Sequence, residues 1–383
     1  MQTLIRALGR MIHGTTWLYT TWWKWLCATL LLYVVMGSFM VPLSPGISKI
    51  EPLSFSPDSI YTFQVSTYHS HFKSATAGKI QFWFKAGNDY LKAKSIEVIG
   101  EDKLEVKFGL GSLQQDSLKS TSFDVVCNDD IDGTFALREG TTLLKAAKAD
   151  STSNILAISE TPQVTHNKHQ FLAFPYREIL YETIRNTFFH VPMWFAMTML
   201  VMFSLVASML FLIKGDFRFD TYAHQAIIVA LLFGCCGYTT GMVWSKYTWF
   251  IGLSWWKAIE IMVFQETKLR GALISIIAYL IYLVLRWLLS LSVIGIQKRD
   301  RAIISAAYNI FAIIIFMWYI FIMPRLHDSL HPGNGGNPAF SKYDLDSTLR
   351  MFFYPACIGW IMLGFWIYSI LVRMQLIKQK QES

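Results

Sequence analysis

Two hydrophobic patterns divide the chain. Residues 25–43 (WLCATLLLYVVMGSFMVPL) form a continuous apolar run, and five more lie at about 189–213, 222–243, 270–296, 302–323 and 351–372. Each approaches or exceeds the roughly 20 residues that cross about 30 Å of hydrocarbon. The pattern predicts about six transmembrane helices. Over residues 44–175 continuity gives way to alternation, in SIYTFQVSTY, KIQFWFKAG, SIEVIG, KLEVKFGL, SFDVVCN and GTFALRE. These segments are short, β-branched and aromatic, and AGNDY, GEDK and NDDIDG stand between them as turn signals. The fold class expected is an α-helical polytopic membrane protein with an all-β, immunoglobulin-like sandwich between helices 1 and 2.

The second long apolar run has a distinctive approach. In FPYREILYETIRNTFFHVPMW, Ile179, Leu180, Ile184 and Phe188 recur at helical spacing, with Arg177, Glu178, Glu182 and Arg185 between them. This predicts an amphipathic helix lying on the membrane surface. Four domains follow: 1–43 as N-terminus and first span, 44–175 as β-sandwich, 176–375 as a five-helix membrane module, and 376–383 as a tail.

Composition agrees with this division. Hydrophobic residues make up 53% of the 383 and charged residues only 16%, against about a quarter charged in soluble chains. The first apolar run begins too late for a cleaved leader and lacks a small-x-small site beyond it, so a retained anchor is expected. The five cysteines, at 27, 127, 235, 236 and 357, form no CxxC pair and no disulfide framework. With the N-terminus cytoplasmic, Arg6, Arg10, Lys24, Lys214, Arg218, Lys298, Arg299, Arg301, Arg373, Lys378 and Lys380 fall inside. The short outer loops then hold seven cations against those eleven, a bias in the expected direction. His190 and His331 come to the outer face in this topology, as does the β-domain.

Three outer elements carry chemistry. His190 opens the second span, with Pro192 in what the pattern predicts to be the first helical turn, where a missing N–H costs little. The stretch WSKYTWFIGLSWWKAIEIMVFQETKLR (244–270) contains Trp244, Trp249, Trp255 and Trp256. Tryptophans anchor membrane interfaces, and they equally furnish a flat floor for a planar ligand. The loop PRLHDSLHPGNGGNPAF (324–340) carries His327 and His331, and its Pro and Gly content excludes a helix. Two histidines, an aromatic floor and the cations Lys246, Lys257, Lys268, Arg270 and Arg325 suit a haem, whose iron takes imidazole and whose propionates take Lys or Arg. Zinc is a competitor, although a structural zinc site wants four close ligands. Interfacial histidines of a transporter or scaffold remain a third reading.

Elsewhere the signals are weaker. His69 and His71 share a face if they lie on a strand, which suits an exposed polar edge or a metal pair. His166 and His169 sit in a polar connector. His224 lies near the cytoplasmic start of the third span, and Arg286 lies near a span end where it can snorkel. The spans are otherwise almost free of charge, which argues against a secondary transporter.

HVPMW at 190–194, GMVWSKYTW at 241–249, AAYNIFA at 306–312, RLHDSLHPGNGGNPAF at 325–340 and LDSTLRMFFYPACIGWIMLG at 345–364 resemble the CcmC-type haem-handling proteins of c-type cytochrome maturation. The wording of HVPMW and SLHPGNGGNP is most similar to the Bacteroidetes branch, and the resemblance covers about 176–375. It implies that His190 and His331 are axial ligands to haem b, with Trp244 and Trp249 opening the family's WWD segment. This chain departs there: TWFIGLSWWKAIEIMVFQETK is longer and lacks the aspartate, so that Trp255 and Trp256 replace the missing pair and Glu260 or Glu266 the acid. Lys246 and Arg325 are the foremost propionate partners.

The resemblance further implies haem delivery rather than substrate turnover, at the outer face of the cytoplasmic (inner) membrane. The acceptor it implies is a CcmE-type haem chaperone on the route to apocytochrome c. A CcmA/CcmB-type ABC transporter and small membrane subunits are further implied partners, within the lipid bilayer and without nucleic acid. The related CcsA/ResC synthetases keep additional histidines inside their helices, where this chain offers only His224. A haem-free scaffold acting through the β-domain is the other alternative.

Overall fold

The computed structural model of the protein describes residues 21–55, 60–76, 78–86, 89–109, 122–143, 172–178, 180–291, 295–327, 330 and 345–381. Two compact units divide it, Val41–Glu182 and the residues on either side of that segment.

Among the described residues, Val41–Glu182 contains two sheets. We number its strands β1 (Gly46–Glu51), β2 (Ser54–Phe55), β3 (Ile60–Tyr68), β4 (Gln81–Ala86), β5 (Asp89–Lys92), β6 (Ser95–Val98), β7 (Lys103–Gly109), β8 (Ser122–Asp129) and β9 (Gly133–Leu143). One sheet has the order β1-β3-β7-β6 and the other β2-β9-β8-β4-β5. All pairings are antiparallel except β2 with β9. Alternation explains the core. Leu104, Val106 and Phe108 point inward from β7, and Phe123, Val125 and Cys127 do so from β8. Aromatic rings fill the interior: Phe84 stacks on Phe108 at 3.9 Å between centroids, and Phe63 meets Phe84 edge-on at 5.0 Å.

The turn NDDIDG forms as its composition predicts. The Asp129 carboxylate accepts the N–H groups of Ile131 at 2.8 Å and Asp132 at 2.6 Å, and Gly133 takes φ 79° to enter β9. AGNDY falls where β4 gives way to its antiparallel neighbour β5, Ala86 pairing with Asp89, as a turn signal should, and its Asp89 and Tyr90 already belong to β5. His69 and His71 do not share a strand face. His69 follows β3 at φ 55°, its Nδ1 3.1 Å from the Leu43 carbonyl oxygen, and the backbone N–H of His71 donates to Asp132. His166 and His169 lie outside the described residues.

Among its described residues, the other unit contains six helices long and apolar enough to cross a membrane. We label its helices α1 (Trp22–Met40), α2 (Thr187–Lys214), α3 (Phe217–Thr248), α4 (Trp255–Phe264), α5 (Thr267–Leu288), α6 (Lys298–Met317) and α7 (Ser347–Gln381). The five-residue segment Trp318–Ile322 continues α6 as a π-helix. Helix α4 is the short one, seated between the ends of α3 and α5. Its turn-by-turn neighbours Ala258 and Met262 are buried with Phe250 and Leu269. The last helix continues to Gln381, so residues expected as a tail are largely helical.

Local chemistry sets the ends. Gly215 closes α2 at φ 68°, donating its N–H to Phe211, and Asp216 caps α3 by accepting the Arg218 N–H at 2.9 Å. The predicted amphipathic surface helix is instead a six-residue 3-10 segment, Tyr181–Asn186, that runs straight into α2. Ile184 and Phe188 are buried in protein rather than presented to a bilayer surface, so the apolar face predicted for the interface is spent on packing. Ile179 lies outside the described residues.

Because α2 starts early, Pro192 falls inside the helix rather than in its first turn. A proline there removes the N–H that would bond the carbonyl four residues back, which is that of Phe188. The indole Nε1–H of Trp360 on α7 donates to that carbonyl at 3.1 Å. Pro355 in α7 repeats the arrangement: the Tyr33 hydroxyl of α1 donates to the Met351 carbonyl at 3.4 Å. Neighbouring helices thus satisfy the groups that the prolines expose.

The spans are less free of charge than the sequence suggests. Arg286 of α5 does not snorkel; its guanidinium donates to both carboxylate oxygens of Asp220 on α3, at 2.7 and 2.6 Å. The two side chains are only 15% and 12% exposed. His224, one turn from Asp220, packs against Tyr282 of α5 at 6.0 Å between ring centroids. Asn309 of α6 donates to the hydroxyls of Ser204 at 2.8 Å and Ser208 at 2.9 Å on α2, which ties two apolar helices by a buried polar contact.

Candidate functional site

His190 lies on α2 and is 7% exposed. Its ring rests against α3 where that helix has glycine at one-turn spacing. A Cβ at Gly241 would lie 2.6 Å from the imidazole Cε1, and one at Gly237 would lie 3.1 Å from the Trp194 indole nitrogen. Only glycine at 241 lets the ring approach the helix so closely.

Nδ1 of His190 is 2.8 Å from the Gly237 carbonyl oxygen and 3.3 Å from the Thr240 hydroxyl. A carbonyl only accepts, so Nδ1 carries the proton, and in the neutral ring Nε2 carries the lone pair. This is the arrangement in which a histidine is oriented for ligation, one nitrogen held by a backbone oxygen and the other acting as the base.

Two indoles flank the imidazole edge-on. Trp244 is 5.7 Å away at 76° and Trp194 is 6.5 Å away at 77°. Trp244 is itself fixed, its Nε1–H donating to the Thr183 hydroxyl at 3.0 Å. Trp194 stands one helical turn from His190 in HVPMW, a spacing that puts both on one face. Sequence reasoning passed over it, and likewise over Gly237 and Gly241, whose role depends on what packs against them.

The remaining tryptophans are placed differently. Trp249 ends α3 and packs on the cluster of Phe250, Ala258, Met262 and Leu269. Trp255 opens α4, 43% exposed, edge-on to Tyr247 at 6.2 Å. Trp256 is 83% exposed. The structure brings Trp244 to His190, and gathers Trp255 with Tyr247 and Lys246. Lys246 donates to the Phe250 carbonyl at 3.2 Å and lies 5.7 Å from the Trp255 ring.

Of the two candidate acids, Glu260 forms an exposed pair with Lys257 at 3.0 Å. Glu266 is 4% exposed and caps α5, its carboxylate accepting the Lys268 N–H at 3.4 Å and the Leu330 N–H at 3.4 Å. Arg325 is exposed and donates to the Phe321 carbonyl; His327 is exposed. His331 and the glycine-rich loop beyond it lie outside the described residues. Among the described residues, no group of three or more His, Cys, Asp or Glu side chains is placed to hold a metal ion.

No protein-family model matches the chain, and comparison with curated proteins finds no match.

Proposed function

We propose that the chain is a haem-handling membrane protein of c-type cytochrome maturation, akin to the CcmC type, that presents haem b at the outer face of the cytoplasmic membrane. The observation that carries this reading is His190. Its Nδ1 proton is held by the Gly237 carbonyl at 2.8 Å, its ring lies between Trp244 and Trp194, and Gly241 keeps the adjoining helix out of its way. A bound haem supplies an iron that takes neutral imidazole nitrogen as axial ligand. The residues present fit that need in part: His190 has the required tautomer, and Leu330, held by Glu266 of α5, directly precedes the proposed second ligand, His331. Trp244, Trp249, Trp255 and Trp256 form the aromatic surroundings, and Lys246 and Arg325 are the propionate partners.

In this reading the work is binding and hand-over, with a CcmE-type chaperone as acceptor and a CcmA/CcmB-type transporter and small membrane subunits as collaborators. The β-domain is read as immunoglobulin-like. Its two sheets, with the edge strand β2 parallel to β9, support that assignment. Docking of the chaperone or of apocytochrome is its proposed role.

A synthetase of the CcsA/ResC kind is the second reading, favoured by one observation: His224 of α3 packs on Tyr282 of α5. The test is accumulation of c-type cytochromes in cells whose chromosomal copy carries His190→Ala or His331→Ala. Loss of holocytochrome with normal levels of the membrane protein is expected. Unimpaired assembly in both variants would leave a scaffold as the function.

A further inference from the structure

A ladder of polar contacts at one-turn spacing joins α3 to α2 and to the 3-10 segment before it. The Trp244 indole donates to the Thr183 hydroxyl at 3.0 Å, the Asn186 amide donates to the Thr240 carbonyl at 3.2 Å, and His190 Nδ1 donates to the Gly237 carbonyl at 2.8 Å. Spacings of three and four residues put 183, 186 and 190 on one helical face, and 244, 240 and 237 on the face opposite. The middle rung breaks a local rule. Asn186 stands at the N-cap of α2, where an asparagine side chain ordinarily accepts a helix N–H. Here it makes no capping hydrogen bond and reaches across to α3 instead. Thr240 is equally committed. Its hydroxyl lies 2.9 Å from the Cys236 carbonyl oxygen and 3.0 Å from that of Gly237, so its proton goes to the main chain. Thr240 Oγ1 therefore turns a lone pair to His190 Nδ1, 3.3 Å away. The Gly237 and Thr240 oxygens both act as acceptors there, and an Nδ1 stripped of its proton would face their lone pairs.

We infer that Asn186 and Thr240 are positioning residues for His190. Asn186 fixes the register of α2 on α3, and the Thr240 hydroxyl makes the Nδ1–H tautomer the one that the site accepts. A polar contact between apolar helices sets register because few other alignments satisfy it. Neither residue needs to touch a ligand; each acts through the imidazole, as partners behind a ligating histidine do. The use of the ring toward iron rests on the haem reading of the previous section, while the tautomer and the register rest on these contacts alone.

The experiment uses the full, haem-free chain in detergent with isotope-labelled histidine, as parent, Asn186→Ala, Thr240→Val, Thr240→Ser and His190→Ala. The last variant identifies the His190 signals, and the two ring-nitrogen shifts give the ratio of Nδ1–H to Nε2–H tautomer. That ratio is expected to fall about fivefold in Asn186→Ala and in Thr240→Val, the change that loss of one neutral hydrogen bond gives. Thr240→Ser keeps the hydroxyl and should match the parent. The Thr240 pair decides the matter even where Asn186→Ala does not accumulate. An unchanged ratio in either Asn186→Ala or Thr240→Val would overturn the inference, as would equal loss in Thr240→Val and Thr240→Ser. In haem-loaded protein the midpoint potential should move in Thr240→Val and stay in Thr240→Ser. A parent that takes up no haem would end the haem reading, and the tautomer ratio would then decide the inference by itself.

Discussion

Nδ1 of His190 donates to the main-chain oxygen of Gly237, 2.8 Å away on the neighbouring helix. One hydrogen bond between α2 and α3 thus sets the tautomer, the ring plane and the direction of the lone pair. Gly241, one turn further along α3, lies directly under the ring.

This predicts opposite signs for one substitution in two backgrounds. In the parent, Gly241→Ala drives a methyl to 2.6 Å from Cε1, which displaces the imidazole and weakens any ligand it holds. In His190→Ala the obstruction is gone, and the helix propensity of alanine over glycine should stabilise α3 by about 1 kcal/mol. Thermal melts of the four combinations in detergent check this. Equal destabilisation in both backgrounds would mean that something other than the ring occupies the space.

Trp360 and Pro192 form a second coupled pair. Trp360→Phe removes the donor to the Phe188 carbonyl and should cost about 1 kcal/mol. Pro192→Ala supplies a helical N–H for that carbonyl, so Trp360→Phe on top of it should cost little. A double-mutant cycle by chemical denaturation in detergent measures the difference. Additive effects would show that the indole contributes through packing alone.

The buried pair Asp220–Arg286 should be far more sensitive to loss of one partner than of both. Asp220→Ala leaves a guanidinium buried without its carboxylate, a change that typically costs about 3–5 kcal/mol. Asp220→Leu with Arg286→Met removes both charges and should restore much of that stability. Melting temperatures of the two variants test it. A double variant as unstable as the single one would indicate a role beyond mutual neutralisation.

In the β-domain, Asp130 accepts hydrogen bonds from the Thr76 hydroxyl at 2.6 Å and the Thr76 N–H at 3.1 Å, with Lys79 3.4 Å away. These contacts, the Thr76 hydroxyl foremost, hold its carboxyl below the ordinary 3.8, at about 2. A depressed folded-state value gives stability that is present above the unfolded value and lost as pH falls through the folded one. Acid should therefore loosen the Thr76–Asp130 connection between about pH 4 and pH 2. Thr76→Val should move the Asp130 titration upward toward 3.8. NMR titration of the Asp130 carboxyl carbon reads this; a titration unmoved by Thr76→Val would rule out the hydroxyl as the cause.

Much of the architecture was legible because its signals are local. An apolar run long enough to span, such as 222–243 within α3, needs no partner to be recognised. Strands such as β7 announce their inner face by alternation, as Leu104, Val106 and Phe108 do. What escaped was what depends on a distant partner. Asp220 and Arg286 lie far apart in sequence, and nothing near either one points to the other. Pro192 was expected in a first turn because the apolar run starts late, whereas the helix begins at Thr187 and Trp360 compensates from another helix. β5 was missed because Asp89 and Tyr90 resemble a turn until β4 pairs with them. At the candidate site His190 and Trp244 were visible as residue types. Trp194 could have been found by its one-turn spacing from His190, but Gly237 and Gly241 acquire meaning only from the ring that packs on them.

The most direct test of the account is the absorption and pyridine haemochrome spectrum of the detergent-purified chain from haem-replete cells, beside His190→Ala and His331→Ala. A Soret band is expected in the parent, weakened or shifted in each variant, with greater loss when both are combined. A parent without haem, or one whose spectrum is unchanged when His190 is removed, would contradict it.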